Sequence, residues 1–302
     1  MPESLISTPG VVTVQEPASD EQLIELWLHG RSVHTRRAYA ADVGRLRART
    51  GKPLAAIALA DLQAFADSLD GMAAASRYRT ISAVKSLLAF GHRLGYLPFD
   101  VGGALRLPAV RGRLAERILP EAAVHRMLSL ETDARNRAIL TLLYASGVRV
   151  SELCGLCWRD LQEAGDGGQI TVFGKGGKTR AIRLPAAVWQ HLARLRDGEA
   201  DGERPVFRSR KRAGPLTPVA VLRIVRQAAR RAGINGPVSP HWLRHAHASH
   251  ALDRGAPIHL VQATLGHASI TTTGRYLHAR PGDSSSRFLS TDKTATTTGT
   301  GV

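Results

Sequence analysis

Apolar residues recur at helical spacing on both sides of a single interruption, and that interruption constrains what the chain can fold into. From Leu107 to Arg117 (LPAVRGRLAER) the pattern lapses into proline, glycine and arginine with no apolar face. A chain of 302 residues is too long for one small core. The lapse therefore separates two domains. We expect a disordered N-terminus over 1–17, a helical domain over 18–106, a linker over 107–117 and a second domain over 118–281. A flexible tail rich in Ser, Thr and Gly follows over 282–302.

Within the first domain, Asp20 is expected to cap a short amphipathic helix carrying Leu23, Ile24, Trp27 and Leu28. A second helix, Thr35 to about Arg49, presents Tyr39, Val43 and Leu46 on one face and Arg36, Arg37, Arg45 and Arg47 elsewhere. Leu62, Phe65 and Leu69 mark a third. Tyr78, Ile81, Val84 and Leu88 mark a fourth, ending near Gly91 or Gly95. Four or five helices and no alternating strand describe this part. The second domain opens with Pro120 in a first helical turn. Helices are expected over 120–129 and 133–146, from Val150, over 186–196 and 217–232, and after Pro240 and Pro257. The period changes once. Gln169–Phe173 and Thr179–Leu184 read as two strands joined by Gly174 to Lys178. The chain is thus mainly α with a small β-hairpin, an α+β protein.

Charge narrows the partner. The net charge is +16. Residues 1–110 hold 12 Lys and Arg against 10 Asp and Glu, a net +2, and residues 111–302 hold 29 against 15, a net +14. A basic excess confined to one part points to a polyanion, although a well-solvated surface gives the same count. No apolar run approaches the roughly eighteen residues of a membrane span. Met1 to Gly10 lacks the pattern of a secretory signal. Two cysteines, Cys154 and Cys157, cannot build a disulfide framework. A cytoplasmic protein is expected.

The second domain carries the chemistry of phosphodiester transfer. Such a reaction needs paired guanidinium groups for the non-bridging oxygens, an in-line nucleophile and an acid for the leaving oxygen. Arg149 lies in YASGVRVSEL, at the expected start of a helix. Lys175 lies at the hairpin tip in FGKGGKTR. His241 and Arg244, in SPHWLRHAHASH, share a helical face at a spacing of three. His267 follows in TLGHASITTTGRY, nine residues before Tyr276.

This ordered set resembles the tyrosine recombinase (phage integrase) family, in particular its compact Xer-like bacterial members. SVHTRRAYAADVGRLRA is similar to the family's SAM-like, DNA core-binding domain, and Ile118 to His278 to its catalytic domain. The resemblance implies a two-domain, C-shaped clamp on double-stranded DNA. It implies that Tyr276 is the nucleophile, forming a 3′-phosphotyrosyl link and freeing a 5′-hydroxyl. Arg149 and Arg244 would clamp the phosphate and Lys175 would protonate the 5′-oxygen. His241 would assist proton transfer and His267 would hydrogen-bond the phosphate. Glu152, at a family acidic position, would orient neighbours. Integration, excision or dimer resolution would proceed on a homotetramer, or a heterotetramer with a second recombinase, with neither metal nor other cofactor.

Weaker readings stand beside these. Lys178 shares the loop with Lys175 and is the alternative lysine. His241, His245, His247 and His250 invite a metal reading, but no acidic residue lies between His241 and His245 as in HExxH motifs. His245 reads as a supporting or packing residue. Cys154 and Cys157 read as a buried helical face. Arg36, Arg37, Arg77 and Arg79 in the first domain are candidate DNA contacts, as are Arg208, Arg210, Lys211 and Arg212 in the second. The linker suits a strap across a DNA backbone as well as an ordinary connection. Arg287, Phe288 and Leu289 form a short apolar peg for a neighbouring subunit. The rival functions are a type IB topoisomerase, a non-catalytic DNA-binding regulator and a metal-dependent nuclease.

Overall fold

The computed structural model describes residues 17–109, 114–174, 177–196, 198–211 and 213–277. Contacts divide the chain into two compact units, 1–111 and 112–302. The Leu107–Arg117 segment spans that division. The peg at Arg287 to Leu289, the tail and the tip residue Lys175 lie outside the described residues.

Unit 1 holds α1 (Asp20–Leu28), α2 (Val33–Thr50), α3 (Leu59–Asp67) and α4 (Ala74–Arg93). Ser19, not Asp20, caps α1: its hydroxyl accepts from the Gln22 amide. Asp20 is buried instead, accepting from the Leu54 amide at 2.9 Å and the Tyr96 hydroxyl at 2.7 Å. It thereby ties the start of the unit to both its middle and its end. Pro17, expected in the disordered terminus, is also buried. The core gathers Leu23, Trp27, Val43, Leu46, Leu62, Phe65, Ile81, Val84 and Leu88. Tyr78, expected on the apolar face of α4, is exposed, and Leu69 is buried beyond the end of α3.

Unit 2 begins with α5 (Glu121–Ser129), α6 (Ala134–Ser146) and α7 (Val150–Gly155). Its core is centred on α6, whose Ile139, Leu140, Leu142 and Leu143 are all fully buried. Three antiparallel strands follow in the order β1 (Leu161–Ala164), β2 (Gly167–Phe173) and β3 (Thr179–Leu184). The expected hairpin is β2–β3, in register at Ile170 with Ile182 and Phe173 with Thr179. The strand β1 was not expected. It pairs Leu161 with Ile170 and turns back through Gly165 and Asp166. Next come α8 (Ala186–Arg196), α9 (Pro218–Arg231), α10 (Pro240–Asp253), α11 (Ile258–Leu265) and the one-turn α12 (Ile270–Gly274). The last had no separate signal. No described helix is long and apolar enough to cross a membrane.

Candidate active site

Two loops bring the site together. At the end of α6, Gly147 takes a left-handed φ of 60° and delivers Arg149 to the start of α7. At the end of α11, Gly266 takes a φ of 64° and delivers His267. The Arg149 guanidinium donates to Glu152 Oε1 at 2.8 Å and reaches toward the Gly266 carbonyl at 3.4 Å, while the Arg149 amide donates to Glu152 Oε2 at 2.8 Å. Over a third of the Arg149 side chain stays exposed.

Arg244, on α10, is buried. It donates to the Gly147 carbonyl and, at 2.7 Å, to the Leu265 carbonyl. The two arginines thus fasten to adjacent carbonyls of the same turn. Two of the five N–H groups of Arg244 are so occupied, leaving others to meet an anion. Burial, and then the charge of Arg149, push the Arg244 pKa down to about 10. That still leaves it cationic at neutral pH, and the mutual repulsion marks a place where an anion is welcome.

Tyr276 is 5% exposed, its ring held in a small apolar cluster with Ile118, Ala248, Val261 and Leu265. Its hydroxyl hydrogen-bonds His245 Nδ1 at 2.8 Å. Burial raises its pKa, with Arg244 and Arg275 opposing. The phenol is therefore protonated at rest. The His267 ring lies parallel to that of Tyr276, centroids 6.4 Å apart, and His267 Nδ1 hydrogen-bonds the Thr273 hydroxyl at 2.9 Å. Burial first, then Arg244, Arg149 and Arg180, hold the His267 pKa at about 4. A neutral imidazole is suited to hydrogen bonding rather than to acid catalysis at neutral pH. His241 opens to solvent at the head of α10 and stacks on His245 at 6.1 Å. Desolvation, with Arg244, Arg149 and Arg117, lowers its pKa below the ordinary imidazole value. A cleft of about 460 Å³ lined by Arg117, Ser239, His241, Trp242 and His245 opens beside it.

Arg149, His241, Arg244, His267 and Tyr276 therefore converge from positions up to 127 residues apart in the chain. Lys175 lies outside the described residues. The hairpin below it closes through the Gly174 amide on the Lys178 carbonyl at 2.8 Å. The loop end of β2 adjoins the site, since a Cβ on Gly174 would stand 3.9 Å from Glu152 Oε1. One neighbour of the site escaped the sequence reading: Arg180 donates both terminal nitrogens to Glu152. His245, read as a supporting or packing residue, touches the tyrosine hydroxyl. The signal for Arg180 was one arginine in a basic hairpin, indistinguishable from its neighbours.

The histidines of α10 diverge. His247 Nδ1 bonds the Tyr144 carbonyl and His250 Nδ1 the Tyr144 hydroxyl, whereas His245 Nδ1 meets the Tyr276 hydroxyl. Among the described residues no three His, Cys, Asp or Glu side chains gather as a metal-binding group. Cys154 is buried in α7, with its thiol pKa raised to about 11 by burial, and Cys157 lies beyond that helix.

The other candidate DNA contacts scatter. Arg36 and Arg37 are exposed on the first turn of α2. Arg77 pairs with Asp70, and Arg79 with the buried Asp42 at 3.1 Å. Arg208 and Lys211 are exposed and Arg210 pairs with Asp133. Arg212 lies outside the described residues.

Comparison with known proteins identifies the family. Residues 117–282 match the model of the phage integrase family, and residues 21–95 match the phage integrase N-terminal SAM-like domain. The chain is 36% identical over 260 residues to the tyrosine recombinase XerC of Xylella fastidiosa (strain M23), covering 82% of this chain and 87% of the relative. Two solved structures share the fold. One is a XerH site-specific recombinase bound to difH substrate, with a TM-score of 0.68, 22% identity and coverage of 86% of this chain and 81% of that one. The other is a lambda integrase tetramer bound to a Holliday junction, with a TM-score of 0.69, 20% identity and coverage of 85% and 75%.

Proposed function

The chain belongs to the phage integrase family of tyrosine recombinases, enzymes that cleave and rejoin DNA at specific sites, and from that premise we propose that Tyr276 is its nucleophile. The observation that carries this reading is the arrangement of Tyr276, Arg244, Arg149 and His267 around one turn, Leu265–Gly266. Arg149 and Arg244 bind the two non-bridging oxygens of a DNA phosphate and stabilise the charge that grows on them. The Tyr276 oxygen attacks phosphorus. A bond forms from that oxygen to phosphorus, and the bond from phosphorus to the 5′-oxygen breaks. Lys175 supplies the proton to the departing 5′-oxygen, and His241 assists removal of the phenolic proton. His267 donates to the phosphate. The phosphotyrosyl ester keeps the energy of the bond it replaces, so a second 5′-hydroxyl reverses the step without ATP.

In this reading 18–106 is the DNA core-binding domain, 107–117 the connection and 118–281 the catalytic domain. Four subunits act on two DNA segments, as the lambda integrase structure on a Holliday junction suggests by analogy. The protein works in the cytoplasm, where the nucleoid is. Arg36, Arg37, Arg77, Arg79, Arg208, Arg210, Lys211 and Arg212 are proposed as phosphate contacts.

Covalent capture tests the proposal. Wild type and Tyr276→Phe are mixed with nicked suicide substrates drawn from the host replicon, in excess chelator. A denaturation-resistant adduct with wild type alone is expected. An adduct that survives the substitution would assign the nucleophile elsewhere, and binding to a defined sequence without any adduct would favour a regulator. Relaxation of a two-site plasmid without recombinant products would favour a topoisomerase.

A further inference from the structure

Glu152 poses an electrostatic problem that Arg180 resolves. The Glu152 carboxylate is buried, and an isolated buried charge is costly. Arg149 alone would compensate it, but a carboxylate paired with one guanidinium forms a neutral couple. A neutral couple draws little toward a phosphate. In the structure the carboxylate has two guanidinium partners. Arg180 donates Nη1 to Oε1 at 3.0 Å and Nη2 to Oε2 at 2.8 Å, a two-pronged pair. Arg149 approaches the same carboxylate from the opposite chain segment. The trio carries a net positive charge, and Arg149, over a third of whose side chain is exposed, is its outward member. The Arg180 side chain is only 13% exposed.

Arg180 also spans the site mechanically. Its Nε donates to the Thr264 carbonyl at 2.7 Å, near the end of α11. It packs so closely on Gly266 that a Cβ there would stand 3.1 Å from its guanidinium. It lies on β3, two residues beyond the loop that holds Lys175 and Lys178. One side chain therefore joins the hairpin, the start of α7 and the turn that presents His267.

We propose that Arg180 is a positioning residue for strand transfer, holding Glu152 and the Thr264–Gly266 turn so that Arg149 is both oriented and left with charge to spend on the phosphate. The proposal rests on the reading of Arg149 as a phosphate clamp. Both terminal nitrogens and Nε of Arg180 bond inside the protein and its side chain is mostly buried, so in this proposal it acts through Arg149 rather than on the DNA. Burial by itself would raise the Glu152 pKa, and Arg180 followed by Arg149 outweighs it, holding the group at about 2. Among the described residues, Arg149, Arg180 and Arg244 are charged groups that face it.

The test uses the full chain and single-turnover adduct formation on two substrates. One has an ordinary scissile phosphodiester. The other has a methylphosphonate, which lacks one anionic oxygen and so needs less from a cationic clamp. Arg180→Gln and Arg180→Lys are compared with Arg149→Ala and Tyr276→Phe. We expect Arg180→Gln to lose about 10- to 100-fold in cleavage of the diester at unchanged DNA affinity, the range typical when a group supporting a functional side chain is removed. The deficit should shrink on the methylphosphonate, as for Arg149→Ala. An acid limb should appear in its pH profile as Glu152 loses its main donor. Arg180→Lys, which keeps the charge but not the fork, should fall between, and it decides the matter if the Gln variant does not fold. Wild-type cleavage by either folded variant, or equal deficits on both substrates, would overturn the proposal. If Arg149→Ala itself shows no dependence on substrate charge, the clamp reading fails first, and the Arg180 proposal falls with it.

Discussion

In the proposed mechanism Arg244 serves structure and chemistry at once. It holds the carbonyls of Gly147 and Leu265, the two residues that flank the site's turns. Arg244→Ala should reduce adduct formation by about 10²- to 10³-fold, the usual cost of removing a preorganised donor. It should also lower the melting temperature, because each stranded buried carbonyl costs about 1–3 kcal/mol. Single-turnover cleavage and thermal unfolding separate the two effects. The histidines make a different prediction. His245, His247 and His267 all have folded-state pKa values of about 4, below the ordinary 6.5, with burial the first cause in each. The unfolded chain therefore binds more protons than the folded chain between these values. Stability is complete above pH 6.5 and declines as the pH falls toward 4. Unfolding near pH 5 should take up protons at all three, and His247→Gln should reduce that uptake by about one. Denaturant titrations across pH 4–7 check this, and a flat stability curve there would contradict the assignment.

At the scale of elements, the small sheet is held by packing more than by strand propensity. Gly168 on β2 lies directly beneath the Trp189 ring of α8, and a Cβ there would stand 2.1 Å from it. Gly168→Ala must displace the indole, and overpacking of this kind costs about 1–3 kcal/mol. Urea unfolding should show the loss, with the effect on cleavage confined to what lower stability explains. The sequence missed β1 for a related reason. Its residues, Leu161–Ala164, are poor strand formers, and only pairing with β2 makes them a strand. The helices were legible because their apolar spacing is long and regular. The bounds of α8 agree with expectation, and those of α9 differ by one residue at each end. The α1 cap was misassigned because Ser19 and Asp20 are both capping residues in the sequence. Which one turns inward depends on Leu54 and Tyr96, distant in the chain.

For the whole molecule, charge sets the affinity for DNA. The net +14 of residues 111–302 predicts steep salt dependence, each neutralised phosphate contributing a slope of about −0.9 in log affinity against log salt. Arg36→Ala and Arg37→Ala, exposed on α2, should each flatten that slope by about 1. Adduct yield at saturating protein should not change. Fluorescence anisotropy between low and moderate salt measures this, and an unaltered slope would remove α2 from the interface. Arg149, His241, Arg244, His267 and Tyr276 could be picked out of the sequence because their types suit phosphodiester chemistry and their order and spacing match the family pattern. So was the division into a helical part and a part with a hairpin, since hydrophobic period is a local property. What the sequence alone left open is which charged groups face one another. Arg180 and Glu152 lie 28 residues apart, and His245 and Tyr276 lie 31 apart. Burial and hydrogen-bond geometry exist only once the helices and the sheet have packed, so tertiary structure alone selected Arg180 from a chain rich in arginine.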